Sequence, residues 1–295
     1  MAKNIEDWRK AGHAAHTALV YGASLIKPGV KYSDVSDAIE IKIKELGADL
    51  AFPVNISVNS AAAHDVPYAV ENRVFTTEDL IKLDVGAEFN GAIGDNAMTI
   101  DLTGKYEKLS RAAREALQAA IKLVKPGTKA RELGKAIETA ITSHGFQPVR
   151  NLSGHSIEEY TVHAGFIVPN YDDGTEDKLE EGMVIAIEPF ATDGVGLIGE
   201  ASNAEIFSVT GKKPLRSQTA REALKWLDER NGLPTSTRWL SQKMGSLKAT
   251  LGMKEMNQVG MLHLYPPLVE VKKGMVAQWE NTLLVTKDGC EILTK

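Results

Sequence analysis

The sequence predicts an α+β fold with pseudo-twofold symmetry, and three observations carry that prediction. The first is a duplication. Leu25-Ile26-Lys27-Pro28-Gly29-Val30-Lys31 returns as Leu123-Val124-Lys125-Pro126-Gly127-Thr128-Lys129, and without a gap Ala38-Ile39-Glu40 returns as Ala136-Ile137-Glu138. Shared Pro-Gly punctuation followed in register by Ala-Ile-Glu argues for a repeat rather than two unrelated amphipathic helices. The second is a change of hydrophobic period after each copy, from helical spacing to the alternation of a strand. The third is size and composition: 295 residues, 43% hydrophobic and 25% charged, describe a globular chain with a large core, in one domain or two.

Each element follows in order. Trp8 to Ile26 carries apolar residues at helical spacing, and Pro28-Gly29 breaks it. Ser33 precedes a second amphipathic stretch, Val35 to Leu46, which Gly47 ends as a C-cap. From Phe52 the period changes, with Val54, Ile56 and Val58 alternating. Between Ile81 and Thr99 the pair Asn90-Gly91 separates two apolar runs, as a type I′ hairpin turn prefers. The second half repeats the plan: Ala112 to Val124, Pro126-Gly127, Ala130 to Ser143, Gly145, then strands. Phe190 to Met275 interrupts this half, and Ser217 to Asp228 and Ser236 to Met244 read as helices inside it.

The carboxylates fall at matching places. If Asn90-Gly91 alone forms the loop, Phe89 pairs with Ala92 and Asp84 lies opposite Ala97. Asp95 then shares a face with Asp84, diagonally across and ~7–8 Å away or somewhat less. A turn longer by one residue would separate them to opposite faces. Buried carboxylates are costly unless paired or metal-bound, so the pair reads equally as a metal site or as one buried and one solvated Asp. The apolar strand Met183 to Ile187 ends in Glu188 as Leu80 to Leu83 ends in Asp84, and Glu280 to Val285 echoes Asp95 to Ile100. Four carboxylates related by an approximate twofold should converge, and His155 can join them. An oxygen-rich set with one imidazole suits divalent ions such as Mn, Fe or Co, and two ions ~3.5–4 Å apart hydrolyse amides and esters.

A net charge of -5 with no Lys/Arg stripe gives no reason to expect nucleic acid as a partner. The charged segment Met1 to Lys10 lacks the apolar core of a signal peptide, and no run reaches the ~20 apolar residues of a membrane span. The single cysteine, Cys290, excludes an internal disulfide and reads as packing. A cytoplasmic location is expected. Gly194-Val195-Gly196-Leu197-Ile198-Gly199 fits a dinucleotide fingerprint but opens no helix, so a flexible loop is expected there. His13 and His16 read as a partly exposed surface pair, and His144 and His263 as structural or surface residues.

The stretches Lys82-Leu83-Asp84-Val85-Gly86, Gly94-Asp95-Asn96-Ala97, Ser153-Gly154-His155, Ala186-Ile187-Glu188-Pro189 and Ala277-Gln278-Trp279-Glu280 resemble, in order, the metal-binding motifs of the methionine aminopeptidases. The resemblance runs over nearly the whole chain. It implies a pita-bread fold with a central antiparallel sheet flanked by helices, and two divalent ions (Co, Mn, Fe, Ni or Zn) held by Asp84, Asp95, His155, Glu188 and Glu280. Asp95 and Glu280 would bridge the ions, Asp84 would complete one site, and His155 with Glu188 the other. His64 would hydrogen-bond near the scissile nitrogen and His163 would steady the peptide carbonyl. Phe52, Val162 and Tyr265 would line the methionine pocket, and Glu188 would shuttle a proton to the leaving nitrogen. Asn281 stands where the family generally has histidine, and a tuning effect is expected from it.

The interruption after Glu188, taken as an inserted subdomain over 191–270 of one catalytic domain 1–295, is similar to that of the type II enzymes, in their minimal archaeal form. The resemblance implies a monomer acting on nascent polypeptide N-termini with a small second residue. No recognisable motif encodes ribosome contact. The alternatives are a non-catalytic scaffold of the same fold, which would have lost ligands, and a proline-directed peptidase, which would carry a further N-terminal domain.

Overall fold

A computed structural model describes residues 4–201 and 203–295. The reading of Met1 to Lys10 thus lies partly outside the described residues, as does Ser202 after the glycine-rich stretch.

Both copies of the repeat form a helical hairpin, and the same punctuation ends each helix. α1 (Ile5–Leu25) buries Trp8, Ala11, Ala15, Ala18 and Leu19 along one stripe. α2 (Tyr32–Glu45) buries Val35, Ile39 and Ile43. In the second copy α3 (Glu107–Ile121) buries Leu109, Ala113, Ala116 and Ala120, and α4 (Ala130–Ser143) buries Leu133, Ile137 and Ile141. Gly29, Gly47, Gly127 and Gly145 all take positive φ, at corresponding positions of the two copies. That left-handed conformation favours glycine, so the repeated Pro-Gly and terminal Gly fix where the chain turns. α3 begins five residues before its expected start because Glu107 to Arg111 continue the helix and add Leu109 to its buried stripe.

Each helical pair covers an antiparallel sheet. Leu80–Phe89 pairs with Ala92–Asp101, Asn55–Val58 and Asp49–Leu50 in the first half. In the second half Asn281–Val285, Val184–Ile187 and Ser153–Ile157 lie side by side, with Cys290–Ile292 and Ile167–Pro169 at the edges. The apolar stripes of α1 and α2 meet Ile81, Leu83 and Val85, while those of α3 and α4 meet Ile185, Ile187 and Leu283. The central sheet is therefore assembled from two halves. They join where Glu280 N–H donates to Ala97 O at 3.0 Å. Thr282 Oγ1 strengthens the seam by accepting from Asp95 N–H at 2.8 Å and donating to Asp95 O at 2.7 Å.

Within 191–270, α5 (Gln218–Asp228), α6 (Thr237–Met244) and α7 (Ser246–Gln258) enclose a separate small core around Phe207, Ala223, Leu240 and Met256. The first two helices fall where expected. The sequence reading gave no helix for α7, whose Leu247 and Leu251 face solvent and blur the stripe that would reveal it. The Gly194–Gly199 stretch is not the flexible loop expected. Glu270, fully buried, accepts N–H groups from Val195, Lys272 and Gly274 at 2.7–2.9 Å, and its carboxyl occupies the space a Cβ on Gly194 would need. Ile198–Glu200 then pairs with Leu268–Glu270, so the two ends of 191–270 are tied together.

Candidate active site and metal centre

The hairpin that carries the first two carboxylates has a two-residue loop. Phe89 pairs with Ala92, Asp84 with Ala97 and Gly86 with Asp95. Asn90 and Gly91 both take positive φ, as a type I′ turn demands. Asp84 and Asp95 therefore project from one face into a shared cavity. On the opposite half His155 pairs with Ala186, two residues before Glu188, and Asn281 pairs with Ile187, which brings Glu280 and Glu188 to the same end of neighbouring strands.

All five side chains converge on one cavity of about 250 Å³. Asp95, His155 and Glu280 are buried and each offers a ligand atom within 4.8 Å of the others. His155 Nε2 lies 3.5 Å from Glu188 Oε1 and 3.8 Å from Asp95 Oδ2. Its Nδ1 lies 3.3 Å from Ser156 O, an atom that can only accept, so the proton sits on Nδ1 and the Nε2 lone pair faces the carboxylates. Asp84 Oδ1 and Asp95 Oδ1 are buried without a hydrogen-bond partner among the described residues.

The electrostatics are those of a site short of positive charge. Burial raises the Asp84 carboxyl to about 7. Burial and mutual repulsion hold Asp95, Glu188 and Glu280 well above the usual carboxylate range. Burial, then the neighbouring His163, lowers His155 to about 3. Four ionised carboxylates cannot share such a space without cations. Orphaned oxygens, a neutral imidazole and no thiolate together suit divalent ions of the kind expected.

Phe52, His64, Val162, His163 and Tyr265 line the same cavity, so every site residue expected from the sequence comes together. His64 adopts positive φ and its N–H is held by Asn55 Oδ1 at 2.8 Å. Its Nδ1 faces Pro266 O at 3.3 Å, which leaves Nε2 as an acceptor toward the cavity, and burial lowers its pKa to about 4. His163 packs against His155 at 4.5 Å between ring centroids, and Tyr265 is 6.4 Å from His163. Tyr265 Oη lies 3.2 Å from Ser208 Oγ.

The sequence reading gave no role to several neighbours. Gln278 is buried, and its Nε2 lies 3.3 Å from both Glu188 Oε2 and Glu280 Oε2. It sits inside the Ala277-Gln278-Trp279-Glu280 motif, so the signal was present. Ile206, Pro234 and Leu268 complete the wall from the insertion, where no motif marks them. His16, half-buried, places Nδ1 3.0 Å from Asn96 Oδ1, and Asn96 in turn donates to Glu280 O, so the expected surface pair divides. His13 alone stays exposed. His263 meets Tyr265 edge to face, with 4.5 Å between ring centroids, beside the cavity wall. Asn281 holds Thr294 through its Nδ2, 3.0 Å from both Thr294 O and Oγ1.

The sequence profile of metallopeptidase family M24 matches residues 6–287. The chain belongs to metallopeptidase family M24. Among its M24 relatives, the methionine aminopeptidase of Archaeoglobus fulgidus is 45% identical, over 97% of this chain and 97% of its own. The crystal structure of the Thermotoga maritima methionine aminopeptidase superposes with a TM-score of 0.72 at 26% identity, covering 100% of this chain and 98% of that one. A thermophilic Arx1 gives a TM-score of 0.84 at 15% identity, covering 99% and 91%, which shows a shared fold. The M24 assignment bears out the pita-bread expectation and makes the protein a metal-dependent peptidase. Among the described residues no helix is long and apolar enough to cross a membrane.

Proposed function

We propose that the protein removes the initiator methionine from nascent polypeptides whose second residue is small, acting as a cytoplasmic monomer. The buried Asp95–His155–Glu280 cluster at the floor of a cavity walled by Phe52 and Val162 carries this reading. Asp84, Asp95, His155, Glu188 and Glu280 would hold two divalent ions. When bound, such ions lower the pKa of water and polarise a carbonyl.

The chain's own residues do the rest. Phe52, Val162 and Tyr265 enclose an unbranched thioether side chain, which an apolar wall with few polar groups accepts. His64, protonated at Nδ1 by its contact with Pro266 O, accepts the scissile amide N–H at Nε2. His163 is kept neutral by burial and steadies the peptide carbonyl. Glu188, whose carboxyl is raised by burial and by Asp84, holds the proton passed to the leaving nitrogen. The inserted unit over 191–270 supplies one wall within a single catalytic domain.

Release of methionine from a Met-Ala-Ser peptide tests the reading. Activity is expected to vanish with chelator and return with Mn or Co, and to be absent on Met-Lys-Ser. A folded, metal-loaded protein that releases nothing would overturn the proposal in favour of a scaffold role. Copurification with ribosomes would extend the partner assignment.

A further inference from the structure

Arg230 follows α5 and begins the turn, through Asn231 and Gly232 at positive φ, that leads to Pro234. Its guanidinium points inward. Nη2 lies 3.0 Å from Leu50 O, 2.9 Å from Pro234 O and 3.3 Å from Ala51 O. Two N–H bonds thus serve three carbonyls, with Ala51 taking the weakest share. Cζ sits 5.0 Å from the centroid of the Trp239 ring. Asp49, Glu88 and Glu40 act on the charge from a distance, and no ion pair to Arg230 forms among the described residues. Its Nε has no hydrogen-bond partner among them. Burial lowers the guanidinium pKa to about 10.

An arginine at a helix end would normally reach solvent, and burying its charge without a carboxylate is unfavourable. The carbonyls it holds belong to two walls of one cavity. Leu50 and Ala51 lead directly into Phe52, and Pro234 lines the cavity itself. Leu233 packs in the same apolar cluster as Phe52 and Val162. Behind Phe52 the ring packs directly on Gly86, where an added Cβ would lie 2.2 Å from it.

We infer that Arg230 is a positioning residue that sets the width of the side-chain pocket, by tying the backbone before Phe52 to the Pro234 wall. It touches neither substrate nor metal ligands. The inference rests on the aminopeptidase reading above, which supplies the side chain the pocket holds.

The test compares wild type, Arg230→Met, Arg230→Lys and Arg230→Gln on Met-Ala-Ser, norleucine-Ala-Ser and Leu-Ala-Ser, with thermal unfolding of each. Arg230→Met should raise KM for Met-Ala-Ser about tenfold while kcat stays within about twofold, and should shrink the preference for Met over Leu by a similar factor. Arg230→Lys and Arg230→Gln keep a donor and should fall between. If Arg230→Met does not fold, the selectivity ratio of the other two decides. An unchanged KM and Met/Leu ratio, or a loss that only follows unfolding, overturns the inference. Failure of wild type to release methionine would instead overturn the reading on which it rests.

Discussion

Asp84 shows what burial does to a carboxyl that waits for a cation. Its pKa is raised to about 7, so without metal the folded protein binds a proton the unfolded chain has already lost. The stability from that proton is fully present below the ordinary carboxylate value near 4 and is lost as pH rises through about 7. Chelated protein should therefore fall further below the metal-loaded form as pH goes from 5 to 8, which melting curves at each pH will read. A flat difference would contradict the assignment. Metal binding should release protons at pH 6 and few above pH 8, measurable by calorimetry in buffers of different ionisation enthalpy. Gln278 offers a second check, since Gln278→Ala removes the amide between Glu188 and Glu280. That change should weaken metal affinity by roughly 10–100-fold with the fold intact. The four carboxylates assigned to metal were legible because each ends or begins an apolar run at matching points of a repeat, whereas His155 rested on the resemblance. Arg230 and Gln278 were not assigned roles, because a half-buried arginine and a buried amide look in sequence like any polar residues.

Strands place these side chains, and their register was legible from the turn chemistry alone. Asn90-Gly91 sets a two-residue loop, and every pair back to Asp84 follows from it. A one-residue insertion after Gly91 should turn Asp95 away from Asp84 and abolish metal binding, as titration would show. At Gly86, opposite Asp95, the missing side chain makes room for the Phe52 ring. Gly86→Ala should cost about 1–3 kcal/mol in urea unfolding, the usual range for overpacking, and should raise KM by displacing Phe52. Unchanged values on both would mean that Phe52 relaxes freely. α7 escaped prediction for the opposite reason: its stability comes from packing on α5 and α6, and its own sequence carries little periodicity.

Over the whole molecule the repeat matters most at the seam. Asp95 comes from one half and Glu280 from the other, so the metal centre exists only when the halves are joined. Thr282→Val keeps the shape but leaves Asp95 N–H and C=O without Thr282 Oγ1. It should destabilise by about 1–3 kcal/mol, and part of that loss should return on adding metal, since Asp95 and Glu280, one from each half, would both hold a bound ion. Equal losses with and without metal would contradict this. The repeat itself was legible, but not how its halves meet, because side-chain contacts between distant strands leave no local pattern. The stretch 191–270 stands apart from that symmetry. It supplies Ile206, Pro234, Tyr265 and Leu268 to the cavity and none of the five ligands assigned to metal, and Glu270 closes its two ends on each other. The residues assigned to hydrolysis thus lie outside 191–270, while the side-chain pocket draws on both lengths of chain, Phe52 and Val162 from one and Tyr265 from the other. A change within 191–270 can therefore reshape one wall of that pocket without touching an assigned ligand.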